Sequence, residues 1–444
     1  MSEREKTNAV RPTAATVAYT DLLRVFLRIG LLSFGGPAGQ IALMHRVLVE
    51  ELEWMSEEEY LAALNFCMLL PGPEAMQLAT YAGWRLHGLK GGLAAGLLFV
   101  LPGAFVVLAL SMLYTALGSL PLAQSLFLGI KAAVVAIVVE ALIRISRRAL
   151  KGRSDLAIAA AAFLAIYAFA VPFPIIVLAA AALGFVRGLG SIAPVSGASA
   201  ATPFGLSQTV STVAAWLAVW IVPLAALAAL LPSHGVLRDL AWFFSKMAVV
   251  TFGGAYAVLA YVAQEGTGTY GWLSTGEMVD GLGLAETTPG PLILVNAFVG
   301  YLAGARAGGA GEPSLALGVA GWAVVLWATF APCFLWIFAF APHLSRLNAN
   351  PRLRAALAAV TAAVVGVILN LTVWFALHVV FATGSHVAIG PLHAYVPDLA
   401  SMNVAGLALS VLAAVLLFGL HRGIVTVLAV SAGASVASSV LGLS

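Results

Sequence analysis

Charge is scarce in this sequence: 9% of its 444 residues are Asp, Glu, Lys or Arg, against 61% apolar residues. Such a chain cannot form an ordinary water-facing surface, which excludes a soluble globular protein and implies a polytopic membrane protein. It has no Walker-type phosphate loop and no polar interval long enough for a nucleotide-binding domain, so transport would run on gradients or on a partner. There are two cysteines, Cys67 and Cys333, both in apolar runs and without a second Cys or a His at ligand spacing. They are expected as core or lipid-facing residues, not as a disulfide or metal site. At membrane depth there is no Ser/His, Cys/His or clustered His/Asp set of the kind an intramembrane enzyme needs. His378, His386 and His393 stand near or in a polar loop at spacings of eight and seven, which match no metal signature. No catalytic residue, metal, cofactor or nucleic-acid partner is expected.

What the sequence does have is a duplication. Residues 26–36 read FLRIGLLSFGG and residues 244–254 read FSKMAVVTFGG, and the alignment continues without a gap at a shift of 218 positions. Over residues 21–73 it gives fourteen identities, among them Phe34-Gly35-Gly36 with Phe252-Gly253-Gly254, Trp54 with Trp272, Ser56 with Ser274, Glu59 with Glu277, and Pro71-Gly72-Pro73 with Pro289-Gly290-Pro291. The matches fall on Gly, Pro, Trp and Glu rather than on Ala and Leu, so apolar composition does not explain them.

Taken in order, residues 1–18 read as a cytoplasmic tail, 19–189 as an N-terminal repeat, 190–238 as a linker with an extra membrane segment, and 239–444 as a C-terminal repeat. About thirteen apolar segments are counted. The loop carrying Glu50, Glu51, Glu53, Glu57, Glu58 and Glu59 is expected outside. The cluster Arg144, Arg147, Arg148, Lys151 and Arg153 is expected inside, with the N-terminus. Six spans in the first half plus the extra one start the second half on the opposite side. The fold class expected is an all-α polytopic membrane protein of two homologous halves, arranged as inverted repeats with broken helices.

Ser56 to Glu59 and Ser274 to Glu277 have capping-box spacing and should start the second helix of each repeat. From that cap to Pro71 or Pro289 is fifteen residues, about 22 Å at 1.5 Å per residue, which carries each P-G-P well into the hydrocarbon. Two prolines break a helix there, and lipid tolerates a break only where it faces protein or a polar cavity. One reading is a packing kink. The other is that helices restarting after Gly36-Pro37 or Pro73 present free amides and the positive dipole end at mid-depth, where an anion binds. Candidate binding residues are Ser33, Gly35, Gly36, Pro37, Pro71, Gly72 and Pro73, with Thr251, Gly253, Gly254, Pro289, Gly290 and Pro291 in the second copy. Arg28 and Lys246, at equivalent positions, either attract the anion or snorkel to the interface. Gln40, Glu74 and Gln77 occur only in the first copy, and Glu74 is a candidate for proton coupling or cavity polarity. Lys131 and Glu140 share one apolar segment, with pairing, snorkelling and transport roles all open.

With S-F-G-G-P at Ser33–Pro37, W-x-S-x-x-E at Trp54–Glu59 and P-G-P at Pro71–Pro73, the chain resembles the chromate ion transporter family in its long, two-domain form. The resemblance implies a protein of the cytoplasmic (inner) membrane that exports chromate, with sulfate as a competing or exchanged anion, and the lipid bilayer as its setting. A homodimer is left open. The second copy departs from the pattern, with Ala255 in place of the proline after F-G-G and Leu292 in place of Glu74. The first half is therefore the better candidate for binding. The same architecture with another oxyanion, and a passive channel, remain alternatives.

Overall fold

The computed structural model describes residues 17–118, 120–188, 206–230, 235–252, 255–308, 313–344, 347, 350–390 and 392–441. The tail before residue 17 and, in and next to the 190–238 linker region, residues 189–205 and 231–234 lie outside the described residues. The described chain is helical throughout except for one antiparallel hairpin, β1 (Gly384–Ile389) and β2 (Leu392–Pro397).

The first repeat opens with α1 (Tyr19–Leu32) and α2 (Gly36–His45), which continues through a π-turn, Arg46–Glu51. These two form a hairpin: the Tyr19 ring at the start of α1 lies 5.5 Å from the His87 ring, two residues from Arg85, which pairs with Glu59 just beyond the second arm. Helix α3 (Glu57–Leu69) begins at the expected capping box, with the Glu59 amide donating to Ser56 Oγ at 3.1 Å and the Ser56 amide donating to Glu59 at 3.2 Å. Such a cap is worth about 1 kcal/mol. After Pro71-Gly72-Pro73 comes α4 (Glu74–Leu117), which is two helices joined by non-helical His87 and Gly88, with Gly83 packed on Gly91 across the turn. Arg85 closes on Glu59 at 2.6 Å. The first arm of α4 therefore ends where α3 began, and P-G-P is the tip of a second hairpin that enters and leaves on one face.

The second repeat follows the same plan with α9 (Gly235–Val250), α10 (Ala255–Thr267), α11 (Thr275–Thr287) and α12 (Val295–Arg306). Ser274 caps α11, and Arg306 closes on Glu277, as Arg85 does on Glu59. The faces differ. The long arm of α4 starts beside the first mouth, yet Tyr114 near its other end donates to Asp280 of α11 at 2.8 Å. Residues 89 to 114 span about 37 Å at 1.5 Å per residue, so the two mouths open on opposite faces. Conversely, α13 (Leu315–Phe340) starts beside the second mouth and brings Phe334 and Phe338 against Gly96 and Gly92, beside the first. The repeats are inverted.

Outside this centre the halves exchange partners. Helix α5 (Pro121–Ala149) packs on α15 (Val404–Ala414) and α16 (Ile424–Val440), and Ser435 donates to the Ser125 carbonyl at 2.6 Å. Helix α14 (Pro351–Val380) packs on α6 (Arg153–Tyr167) and α7 (Phe173–Arg187), with Gly184 against Ala355 and Gly366 against Ala159. The extra helix α8 (Leu206–Leu230) touches α13 through Trp327 Nε1 donating to the Trp220 carbonyl at 3.2 Å and leaves most of its surface outward. It carries the chain across and so starts the second repeat on the other face. Among the described residues, five helices are long and apolar enough to cross a membrane.

One expectation is overturned. The Glu50–Glu59 loop shares its face with the basic residues, since Glu50 and Glu58 line the same cavity as Arg148 and Arg354. The apolar run 19–49 doubles back instead of crossing. Its carboxylates have local partners: His45 contacts Glu50 and Glu57, Arg28 and Arg46 pair with Glu51, and Arg85 pairs with Glu59. Carboxylates contribute little to topology, so the loop can stay on the basic side.

Candidate functional site

The hairpin tips meet in the middle of the protein, each against the opposite repeat. The Gly72 amide donates to the Thr251 carbonyl at 2.8 Å, and the Gly290 amide donates to the Ser33 carbonyl at 2.9 Å. These bonds are equivalent at the 218 shift, so P-G-P of each half is seated on the helix break of the other. Gly72 and Gly290 have φ of 118° and 90°, and Gly35 and Gly36 have 84° and 69°, values that side chains with a Cβ rarely adopt. Gly253 and Gly254 lie outside the described residues. Next to the tips, the Gly103 backbone packs on Pro289 and the Cys333 sulfur on Gly72. Both cysteines are buried and free, as the sequence led us to expect.

Side chains fasten the junction. Gln40 donates to the Gly290 carbonyl at 2.6 Å and Gln77 to the Pro71 carbonyl at 2.7 Å, each leaving a buried amide oxygen without a protein partner. The Ser33 and Thr251 hydroxyls turn back to their own helices, to the Ile29 and Met247 carbonyls. Pro291 leads into the short turn Leu292–Leu294, and α12 is buried from Val295 to Ala305. Asn296 of α12, beside Gly72 and Thr251, is buried with both amide atoms unpartnered.

A cavity of about 1130 Å³ opens from the basic face down to these tips. Its inner wall carries Gly35, Gly36, Pro37, Gly72 and Glu74 of the first repeat and Ala255 and Tyr256 of the second. The helix starts at Gly36 and Glu74 have no side-chain cap from the residue before them; Pro37 carries no N–H and the Glu74 amide is taken by its own carboxylate, so it is the other first-turn amides that are open to an acceptor in the cavity. Nearer the mouth stand Arg144, Arg148 and Arg354. Arg144 pairs with Glu140; among the described ion pairs none takes up Arg148 or Arg354. The arrangement offers amide donors in depth and guanidinium groups at the approach, donors that suit a tetrahedral oxyanion, in a lining that also carries the carboxylates of Glu50, Glu58, Glu74 and Glu140.

Arg28 and Lys246 stand off this wall. Arg28 is paired with Glu51, and Lys246 donates to Tyr261 at 3.1 Å, 5.5 Å from the Phe243 ring centroid. Lys131 of the segment singled out in the sequence pairs at 3.0 Å with Asp280, which the reading missed because its 218-shift equivalent is Ala62. Lys131→Met leaves Asp280, 5% exposed, with Tyr114 alone. It should destabilise the fold by about 3–5 kcal/mol, and adding Asp280→Leu should restore most of the loss. Thermal unfolding in detergent measures both. Sequence reasoning treated the three cavity arginines only as topology markers. It also missed Tyr256 and Glu286, which are bonded at 2.7 Å, because Glu286 aligns with Met68 and carries no repeat signal.

Comparison with known proteins gives the family. The family profile described as chromate transporter matches residues 20–185 and 238–436, once in each half. A chromate transport protein of Pseudomonas aeruginosa is 35% identical over 82% of this chain and 81% of its own length. One from Cupriavidus metallidurans is 31% identical over 80% of this chain and 82% of its own. An uncharacterized transporter of Methanocaldococcus jannaschii is 27% identical over 79% of this chain. No solved structure matches. With both repeats matched and relatives aligned over most of their length, this chain belongs to the chromate transporter family.

Proposed function

We propose that the protein is a secondary transporter that exports chromate across the cytoplasmic membrane, with sulfate as a competing or exchanged anion. The observation that carries this reading is the cavity whose inner wall is formed by the uncapped helix starts at Gly36 and Glu74 and whose approach carries Arg144, Arg148 and Arg354. Chromate is a tetrahedral dianion, and its oxygens suit amides in a nest and guanidinium forks. The cavity opens on the face that carries Arg85, Arg144, Arg148 and Arg354, which the positive-inside rule assigns to the cytoplasm, the side from which an exporter loads. A potential negative inside moves each negative charge outward with about 2.3 kcal/mol per 100 mV, so a dianion needs no ATP to leave. In this reading residues 19–189 and 239–444 are the two working halves, and residues 190–238 supply the linking helix.

Alternating access follows from the inversion. The first repeat's tips face the cavity while those of the second are packed, and exchanging these two environments would open the other face. The test is labelled chromate and sulfate uptake into inside-out vesicles, with the trans anion and the gradients varied. Saturable chromate accumulation stimulated by trans anion supports a transporter over a passive channel. Flux that does not saturate, or no flux from correctly folded protein, contradicts it.

A further inference from the structure

We propose that Glu286 takes up a proton when an oxyanion occupies the cavity, so that anion and proton cross the membrane together; this rests on the anion-cavity reading above. Glu286 lies four residues before Gly290, at the end of α11, and is 4% exposed. Its Oε1 accepts from the Tyr256 hydroxyl at 2.7 Å, and its Oε2 has no partner. An ionised carboxylate has about four lone-pair sites for donors, and this one receives a single neutral hydroxyl. Among the described ion pairs none includes it. Tyr256 itself lines the cavity beside Gly36, so the carboxylate sits one hydroxyl behind the wall.

The charged groups around Glu286 come from several packed elements. Helix α5 brings Arg144 and Glu140, which are paired with each other, Arg148 at the same cavity, and Lys131, which is paired with Asp280; α10 brings Tyr256; α14 brings Arg354 to the same cavity; and α4 brings Glu74 to its wall and Tyr114 to Asp280. On α12 the titratable side chains are Tyr301 and Arg306, and Arg306 is taken by Glu277; the turn Leu292–Leu294 has none. Arg144 is the cation whose charge reaches Glu286, and it is shared with Glu140.

A dianion entering the cavity adds negative charge on the other side of Tyr256, and the proton removes the resulting repulsion. The step forms one O–H bond, between a proton from solvent and Glu286, and breaks no covalent bond in the protein. The protonated carboxyl can then donate to the Tyr256 oxygen, which frees the phenolic hydrogen to turn toward the anion. Tyr256 thus reports the protonation state to the cavity. The first repeat has Met68 at the equivalent position, so one such site exists per chain.

The test uses purified full-length protein in weakly buffered detergent, titrated with chromate at a pH at which chromate is itself fully ionised, with a pH-indicator dye for protons and calorimetry for binding. Expected are proton uptake on chromate binding by the native protein and affinity that falls as pH rises. Glu286→Gln, an analogue of the protonated acid, should abolish the uptake and flatten the pH dependence. Glu286→Asp should preserve the uptake and so secures the test should the Gln variant fold poorly. Uptake that persists in Glu286→Gln, or that is lost in Glu74→Gln and not in Glu286→Gln, overturns the proposal. Chromate binding without proton uptake by the native protein overturns it and leaves the anion cavity standing. Absence of chromate binding to the native protein overturns the cavity reading, and the proposal with it.

Discussion

Gly72→Val is expected to abolish chromate flux while the chain still inserts in the membrane. At φ of 118° a β-branched residue is strained, and a Cβ there would lie 2.9 Å from both the Cys333 sulfur and the Gln77 amide nitrogen. Backbone strain costs about 1–3 kcal/mol and overpacking a similar amount. The tip cannot relieve either without moving the amide that bonds Thr251, so the helix start at Glu74 shifts relative to the cavity. Gly290→Val should act alike from the other half, through the bond to Ser33. Vesicle flux together with thermal unfolding in detergent tests both variants. Native flux in either would mean that the seated tips are packing kinks and not the transport site.

The second large effect concerns the cavity cations. Arg148→Gln combined with Arg354→Gln should raise the KM for chromate far more than it lowers kcat. In partly screened surroundings each cation attracts a dianion by on the order of 1.4 kcal/mol, about tenfold in affinity, so the pair is worth on the order of a hundredfold. High salt should shrink the difference between native and variant protein. Arg144→Gln should have the smaller effect, because its charge is already shared with Glu140. An unchanged KM in the double variant would remove these residues from the anion's approach.

Much of this centre was legible in the sequence because the duplication repeats its costly residues. The capping Ser and Glu, the P-G-P tips and the break after Ser33 or Thr251 could all be placed by a single shift of 218. The inversion followed from counting one extra helix between the halves. What could not be read was whether an apolar run crosses the membrane or doubles back, since both bury the same surface. The contacts that decide it, Glu59 with Arg85 and Glu277 with Arg306, join residues 26 and 29 positions apart. They fall outside the repeat register, because Gly88 is the 218-shift equivalent of Arg306. The acidic loop was misplaced for the same reason.

Residues present in one copy were the hardest to read. Gln40 and Gln77 stood out as polar positions in apolar helices, and the structure uses both to hold tip carbonyls. Arg28 and Lys246 stood out equally, yet both have partners away from the cavity wall. A charge in an apolar segment marks a need for a partner, and only the tertiary fold says which partner. Glu286 and Asp280 escaped notice because each replaces an apolar residue of the first copy, at Met68 and Ala62.

The proposed anion site lies where the uncapped starts of two first-repeat helices meet the cavity. Chromium scatters X-rays anomalously, so crystals of the protein grown with chromate locate the ion directly. An anomalous peak is expected in the cavity within hydrogen-bond distance of the amides around Gly36 and Glu74. A peak elsewhere, or none at a chromate concentration that saturates transport, would contradict it.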